Sequence, residues 1–228
     1  MFKVKCTLFE WVKDEDKHPC HFNYKIGDTI IYDGERFEGR VCHSLLPAMM
    51  PVVHAIFLAG HKFPENIMMR YRGMDIRDTS LTKYDGMGFR PHSNPDGTPV
   101  KRVGTLAKPS PNGRSRGHHF MCGDQRTLAH FNCDPIDLAD SGYAQPFYRR
   151  AISVLEKIEK QPGVKVDTLF DSYTDFQKNV VSPRLTPVFM GILLDALLDQ
   201  EYITIVDGKA TATGREPPSR PVFPPDNS

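Results

Sequence analysis

The hydrophobic rhythm of this chain breaks once, and the break constrains the fold more than any other feature. Residues 91–117 hold Pro91, Pro95, Pro99, Pro109 and Pro111 together with Gly97, Gly104, Gly113 and Gly117. Five cations (Lys101, Arg102, Lys108, Arg114, Arg116) face one anion, Asp96, so the stretch is basic. Proline removes donors and glycine removes conformational restraint, so no regular element runs through such a segment. Before it the apolar residues alternate with a period of two, and after it they recur at helical spacing. Two unlike modules follow, and the expected class is α+β.

Four regions follow from that rhythm. Residues 1–92 read as a small mixed α/β domain. Phe2, Val4, Cys6 and Leu8 share one face of a strand, Gly27-Asp28 makes a turn, and Ile30–Tyr32 forms a second strand. Residues 44–59 have the length and apolarity of a helix, with Ser44 placed to cap it and Gly60 to end it. Pro47 falls in the first turn, while Pro51 lies deeper and is expected to kink the helix or delay its start. Residues 67–90 read as strands with turns at Gly73 and Asp85-Gly86. Residues 93–133 read as a linker carrying Cys and His.

Residues 134–216 read as a helical domain. Ala151, Val154, Leu155 and Ile158 lie on one helix face, stopped by Pro162-Gly163. Shorter helical patterns cover 166–173 and 186–201. The run 203–206, Asp207-Gly208 and 209–213 is a hairpin with a two-residue turn. Residues 217–228 form a proline-rich, extended tail.

Charge and cysteine usage narrow the function classes. Net charge is +1, which disfavours a dedicated nucleic-acid or membrane-surface protein. No apolar stretch reaches the ~18–20 residues that span a bilayer. The stretch 45–60 is interrupted by Pro47, Pro51 and His54, and residues 1–6 alternate where a signal peptide would be continuously apolar. Five cysteines at irregular spacing fit thiols or metal ligands in a reducing, cytoplasmic setting.

The most specific constellation is His119-x-x-Cys122 followed by His130-x-x-Cys133. Two local pairs could supply the four ligands of a zinc ion at low cost in chain entropy, with Gly123-Asp124 as a turn and His118 as an alternative ligand. The competing reading makes Cys122 and Cys133 ordinary buried thiols and leaves the histidines in loops. A second cluster is Cys20-His21 with Cys42-His43, which would converge if the hairpin between them folds back. Adjacent strand residues face opposite ways, so this cluster offers two or three ligands, the number a catalytic metal with an open position uses.

His43, His54 and His61 fall too far apart on one helix to share an ion. His54, among Val52, Val53, Ile56 and Phe57, reads as a hydrogen-bonded core histidine, and it is the first choice for a general base, with His43 beside it. Asp85 and Arg90 flank a Gly86-x-Gly88 turn and could bind a polar or anionic substrate, or simply pair with each other. No phosphate loop, dinucleotide fingerprint or serine elbow is present.

The order of elements over 146–215 resembles a winged helix. A DNA-binding version needs cations on the recognition helix, yet no Lys or Arg lies between Arg184 and Lys209. From residue 134 onward 10 Lys/Arg stand against 14 Asp/Glu. The module therefore reads as a protein-interaction or dimerisation element.

Residues 1–92 resemble a family of small uncharacterised prokaryotic α+β proteins. The matching residues are Cys20, Gly27-Asp28, Gly39-x-x-Cys42, Gly60-His61-Lys62-Phe63-Pro64, Asp85-Gly86 and Arg90-Pro91. The resemblance implies an α+β domain with Cys20 and Cys42 as characteristic positions, and it implies no reaction. Lys83-Tyr84 stands where that family has a cysteine pair.

Together these features lead to the expectation of a metal-associated enzyme or enzyme subunit. It would use zinc or iron for hydrolase- or lyase-type chemistry on a small molecule, within a homo- or hetero-oligomer. The alternative is a non-catalytic scaffold subunit that binds a larger partner. A transcriptional regulator is disfavoured by charge.

Overall fold

The computed structural model describes residues 1–60, 118–124 and 127–222. The chain is α+β and divides into two compact units. A sheet unit comprises Val4–Tyr32 and Phe37–Pro135, and a helical unit comprises Met1–Lys3, Asp33–Arg36 and Ile136–Ser228. No helix among the described residues is long and apolar enough to cross a membrane.

The sheet unit is built on strands β1 (Phe2–Trp11), β2 (Thr29–Tyr32), β3 (Phe37–Glu38), β4 (His118–Met121) and β5 (Ala129–Leu138). Their order is β3-β2-β1-β5-β4. Val4, Cys6 and Leu8 of β1 point inward as the alternation requires, with Ile30, Phe120, Phe131 and Cys133 from the neighbouring strands. Helix α1 (Leu46–Ala59) packs against β4. It buries Met49, Val53, Ala55, Ile56 and Phe57, and Phe57 meets Tyr32 edge-on at 5.4 Å. Between β2 and β3 the chain turns sharply. Gly39 follows at φ 99°, where a Cβ would stand 2.5 Å from the Thr29 carbonyl oxygen, so no larger residue fits.

Two expectations about α1 need correction. Ser44 does not cap it: the N-cap is Leu45 and has no side-chain bond, while Ser44 Oγ lies 3.2 Å from His43 Nε2. Pro51 does not delay the helix either. It lies within the helix at an exposed position, where water can satisfy the carbonyl that its missing N–H leaves behind.

Residues 118–133 are not linker. The described part of that stretch forms β4, a turn and most of β5, and these belong to the sheet. Phe131, Cys133 and Pro135 face inward, and the next inward residue is Leu138. The burial alternation therefore slips by one residue at Ile136–Asp137, where the strand passes from the sheet unit to the helical unit, and Leu138 joins the core of the latter. The remainder of the expected linker, and the strands expected over 67–90, lie outside the described residues.

The helical unit runs α2 (Gln145–Lys160), β6 (Val164–Lys165), α3 (Val166–Leu169), α4 (Asp175–Asn179), α5 (Pro187–Asp199), β7 (Ile203–Val206) and β8 (Lys209–Ala212). The three strands are ordered β6-β8-β7. The first of these strands pairs with the last, and the second is joined to the last as a hairpin. Asp207 and Gly208 both have positive φ (51° and 70°), as a two-residue hairpin turn of type I′ needs. Tyr148, Ile152, Leu155, Leu193, Leu197 and Tyr202 fill the core. The tail does not simply trail away: Ser219 accepts a 2.7 Å bond from Tyr148 Oη, and Arg220 grips Glu159 with two bonds of 2.9 and 3.0 Å.

Candidate functional site

The four ligands expected at the joint do not converge. Strands β4 and β5 form an antiparallel pair in which His118 faces Cys133, His119 faces Asn132, Phe120 faces Phe131 and Met121 faces His130. Residues opposite one another share a sheet face, and an i, i+3 pair on a strand points to opposite faces. The two pairs were read as local loops, and on strands they are split. His119 and His130 lie on one face with ring centroids 5.1 Å apart. Cys133 lies on the other face, fully buried, with its Sγ 3.1 Å from Cys6 Sγ. Cys122 lies beyond the end of β4.

His130 has a different setting from the one its spacing suggested. It is buried, and its Nδ1 lies 3.1 Å from Glu10 Oε2. The Phe9 ring stands 4.4 Å from His130 and 5.3 Å from His119. A carboxylate at Nδ1 favours a proton on that nitrogen and orients the ring. Glu10 carried no sequence signal, because its partner lies 120 residues away.

Three loops bring a second group together at the other cluster. Cys20 and His21 come from the loop before β2, Cys42 from the approach to α1, and Cys122 and Asp124 from the turn after β4. His21 Nε2 is 3.8 Å from Cys42 Sγ, and His21 Nδ1 is 3.7 Å from Asp124 Oδ2. Asp124 N–H donates to Cys122 Sγ at 3.4 Å. A Cβ on Gly123 would stand 3.3 Å from the Ser44 carbonyl oxygen, so this turn lies against the start of α1. Burial pushes the Cys122 thiol up, the Asp124 N–H draws it down, and the charges of Cys42, Asp124 and Cys20 push it up again. Cys122 therefore feels the charges of both Cys42 and Cys20.

Tyr24 holds this arrangement in place. Its hydroxyl donates to the Arg40 carbonyl at 2.8 Å and accepts from Cys42 N–H at 3.0 Å. The ring is sandwiched between Phe22 at 4.8 Å and Phe131 at 5.6 Å. Cys42 is thus fixed and buried, while Cys20 and Cys122 are partly exposed and His21 is exposed. Among the described residues, no group of three or more His, Cys, Asp or Glu is placed so that it could hold a metal ion.

The candidate bases are placed otherwise than expected. His54 is not a core histidine: it lies on the exposed side of α1, its ring 6.4 Å from Phe57. The helix turns Val53, Ala55, Ile56 and Phe57 inward, which leaves position 54 outside. His43 is exposed as well, with its ring 6.3 Å from His21. Asp85, Arg90 and His61 lie outside the described residues. Compared with protein-family models, curated proteins and solved structures, the chain matches none.

Proposed function

We propose that the sheet unit is a zinc-binding module of a metal-associated enzyme, with Cys20, His21, Cys42 and Cys122 as its ligands. The observation that carries this reading is the 3.8 Å separation of Cys42 Sγ and His21 Nε2. A thiolate at ~2.3 Å and an imidazole at ~2.0 Å from a tetrahedral ion stand about 3.6 Å apart. Cys20 and Cys122 would join them by side-chain rotation. Turning χ1 between rotamers swings a thiol sulfur through about 3 Å, and Cys20 and Cys122 are partly exposed and free of core packing on one side. Asp124 beside His21 Nδ1 supplies the carboxylate that commonly orients a metal-bound imidazole.

Three soft thiolates and one imidazole favour zinc over a hard cation, and the single cluster of four favours it over an iron–sulfur centre. A cation would also reverse the mutual repulsion of three neighbouring thiolates. All four ligands on the ion make a closed, structural site. Hydrolase- or lyase-type chemistry would leave Cys20 or Cys122 off the ion and put water in its place, for activation toward a small-molecule substrate.

Metal content of the chain, purified without an affinity tag from zinc-supplemented medium, tests the reading. One equivalent of zinc is expected, reduced at least tenfold by Cys42→Ser and by Cys122→Ser and unchanged by Cys133→Ala. Sub-stoichiometric zinc in the parent chain, or equal zinc in all four proteins, would sink it.

A second reading, a scaffold subunit, draws on α5. Val188 and Ile192 are 76% and 51% exposed on the helix that a DNA-binding winged helix would use for recognition. That face suits protein contact better than phosphate contact. Light scattering of the purified chain would separate the two readings, because an isolated monomer with one zinc supports the first alone.

A further inference from the structure

We propose that Cys6 and Cys133 form a reversible intramolecular disulfide that staples β1 to β5, a modification site separate from the proposed zinc cluster. The two residues lie on adjacent strands and on the helix-packed face of the sheet. Their sulfurs are 3.1 Å apart although 127 residues separate them in sequence. That is inside the ~3.6 Å at which two unbonded sulfurs touch, and about 1 Å beyond a bonded pair. Forming the bond needs the two sulfurs to approach by about 1 Å.

The surroundings decide how the pair behaves. Both thiols are buried, at 1% and 0% exposure. Burial, and the Cys6 sulfur that accepts its hydrogen bond, hold the Cys133 thiol well above its ordinary value. The Cys133 thiol therefore resists ionisation, and a pair this buried is slow to react while the sheet is closed. Once formed, the bond is equally shielded from reductants. This is the behaviour of a slow, long-lived oxidation rather than of a fast sensor.

The oxidant class is a hydroperoxide. One thiol attacks the peroxide, forming a sulfenic acid and releasing one molecule of water. The second sulfur attacks the sulfenic sulfur, the S–O bond breaks, and a second water leaves with the proton of the second thiol. Two thiols lose two electrons in total, and one hydrogen peroxide is reduced to two waters. A dithiol reductant reverses the step by thiol–disulfide exchange.

The test uses the full chain, reduced and then incubated with hydrogen peroxide, quenched, denatured, alkylated and digested. Mass spectrometry should find the Cys6 and Cys133 peptides linked and two hydrogens lighter than the separate thiols. The melting midpoint should rise by roughly 4–12 °C and fall back on treatment with dithiol. Cys6→Ala should lose both signals. Should that variant fail to fold, the peptide map of the parent chain still decides. Cys6 and Cys133 recovered fully alkylated, while Cys20, Cys42 or Cys122 are oxidised, would overturn the proposal. So would a link from Cys6 to any cysteine other than Cys133.

Discussion

Tyr24→Phe isolates the contact that organises the thiol cluster. The substitution keeps the ring between Phe22 and Phe131 and removes only the hydroxyl. Two hydrogen bonds go with it, at 2.8 Å to the Arg40 carbonyl and 3.0 Å from Cys42 N–H. They are not equivalent. Arg40 is exposed, so its carbonyl regains water and the net loss is about 0.5–1 kcal/mol. Cys42 is 2% exposed, so its N–H is left buried without an acceptor, which costs about 1–3 kcal/mol. The sum is about 1.5–4 kcal/mol. With a urea slope of about 1.5–2 kcal/mol/M for a unit of this size, the midpoint of the transition that exposes the sheet unit should fall by about 0.8–2.7 M at unchanged slope. Equilibrium urea unfolding followed by tyrosine fluorescence and far-UV dichroism measures it. A shift below about 0.3 M would mean that the Cys42 N–H finds water without Tyr24, and that the hydroxyl does not hold the loop. Zinc retention should fall in the same variant if Cys42 is a ligand.

Three further outcomes follow from other parts of the structure. Gly39→Ala should cost more than about 2 kcal/mol in urea unfolding, because the new Cβ meets a backbone oxygen at 2.5 Å and φ stays at 99°; a cost under about 0.5 kcal/mol would show that the β2–β3 connection can relax. Burial is the main cause that pushes Tyr24 and Tyr173 up to about 12 from 10.0. Between those values the unfolded chain releases protons that the folded chain keeps, so their contribution is complete below pH 10 and lost as pH rises toward 12. Tyrosinate absorbance should therefore show late-titrating groups that move to ordinary values in urea, and a single ordinary titration of the folded chain would contradict this. Thr186→Ala should destabilise the helical unit by about 1 kcal/mol, because Thr186 Oγ1 caps α5 by accepting from Phe189 N–H at 3.1 Å; an unchanged thermal midpoint would refute the cap's role.

Elements whose partners are close in sequence were legible. Strand β1, helix α2 and the β7–β8 hairpin follow from period, capping and turn chemistry within a dozen residues. Helix α4 has only five residues, too few for a periodic signal, although Thr174 and Gln177 carry the capping-box spacing and make both of its bonds. Strand β6 has two residues, and nothing local marks them; it exists because Val164 and Lys165 pair with Ala210 and Lys209. Strand β5 did have a period of two in Ala129, Phe131, Cys133 and Pro135. Two other patterns obscured it. The i, i+3 spacing of His130 and Cys133 invites a local reading, and Pro135 argues against a strand because it cannot donate to the ladder.

The chemistry was less legible for a topological reason. Three close pairs join the first two dozen residues to the stretch 118–134: Cys6 with Cys133, Glu10 with His130, and His21 with Asp124. Consecutive strands are usually neighbours, but β1 takes β5 as its second partner across more than a hundred residues. Sequence spacing within 118–133 could therefore name the right residue types and still join them to the wrong companions. Cys122 does not join Cys133, which meets Cys6, and His130 pairs with a glutamate. Both of these pairs bridge β1 and β5. Any change that unpairs those two strands should dissolve the dithiol and the His–Glu pair together, whereas a change at one pair should leave the other standing.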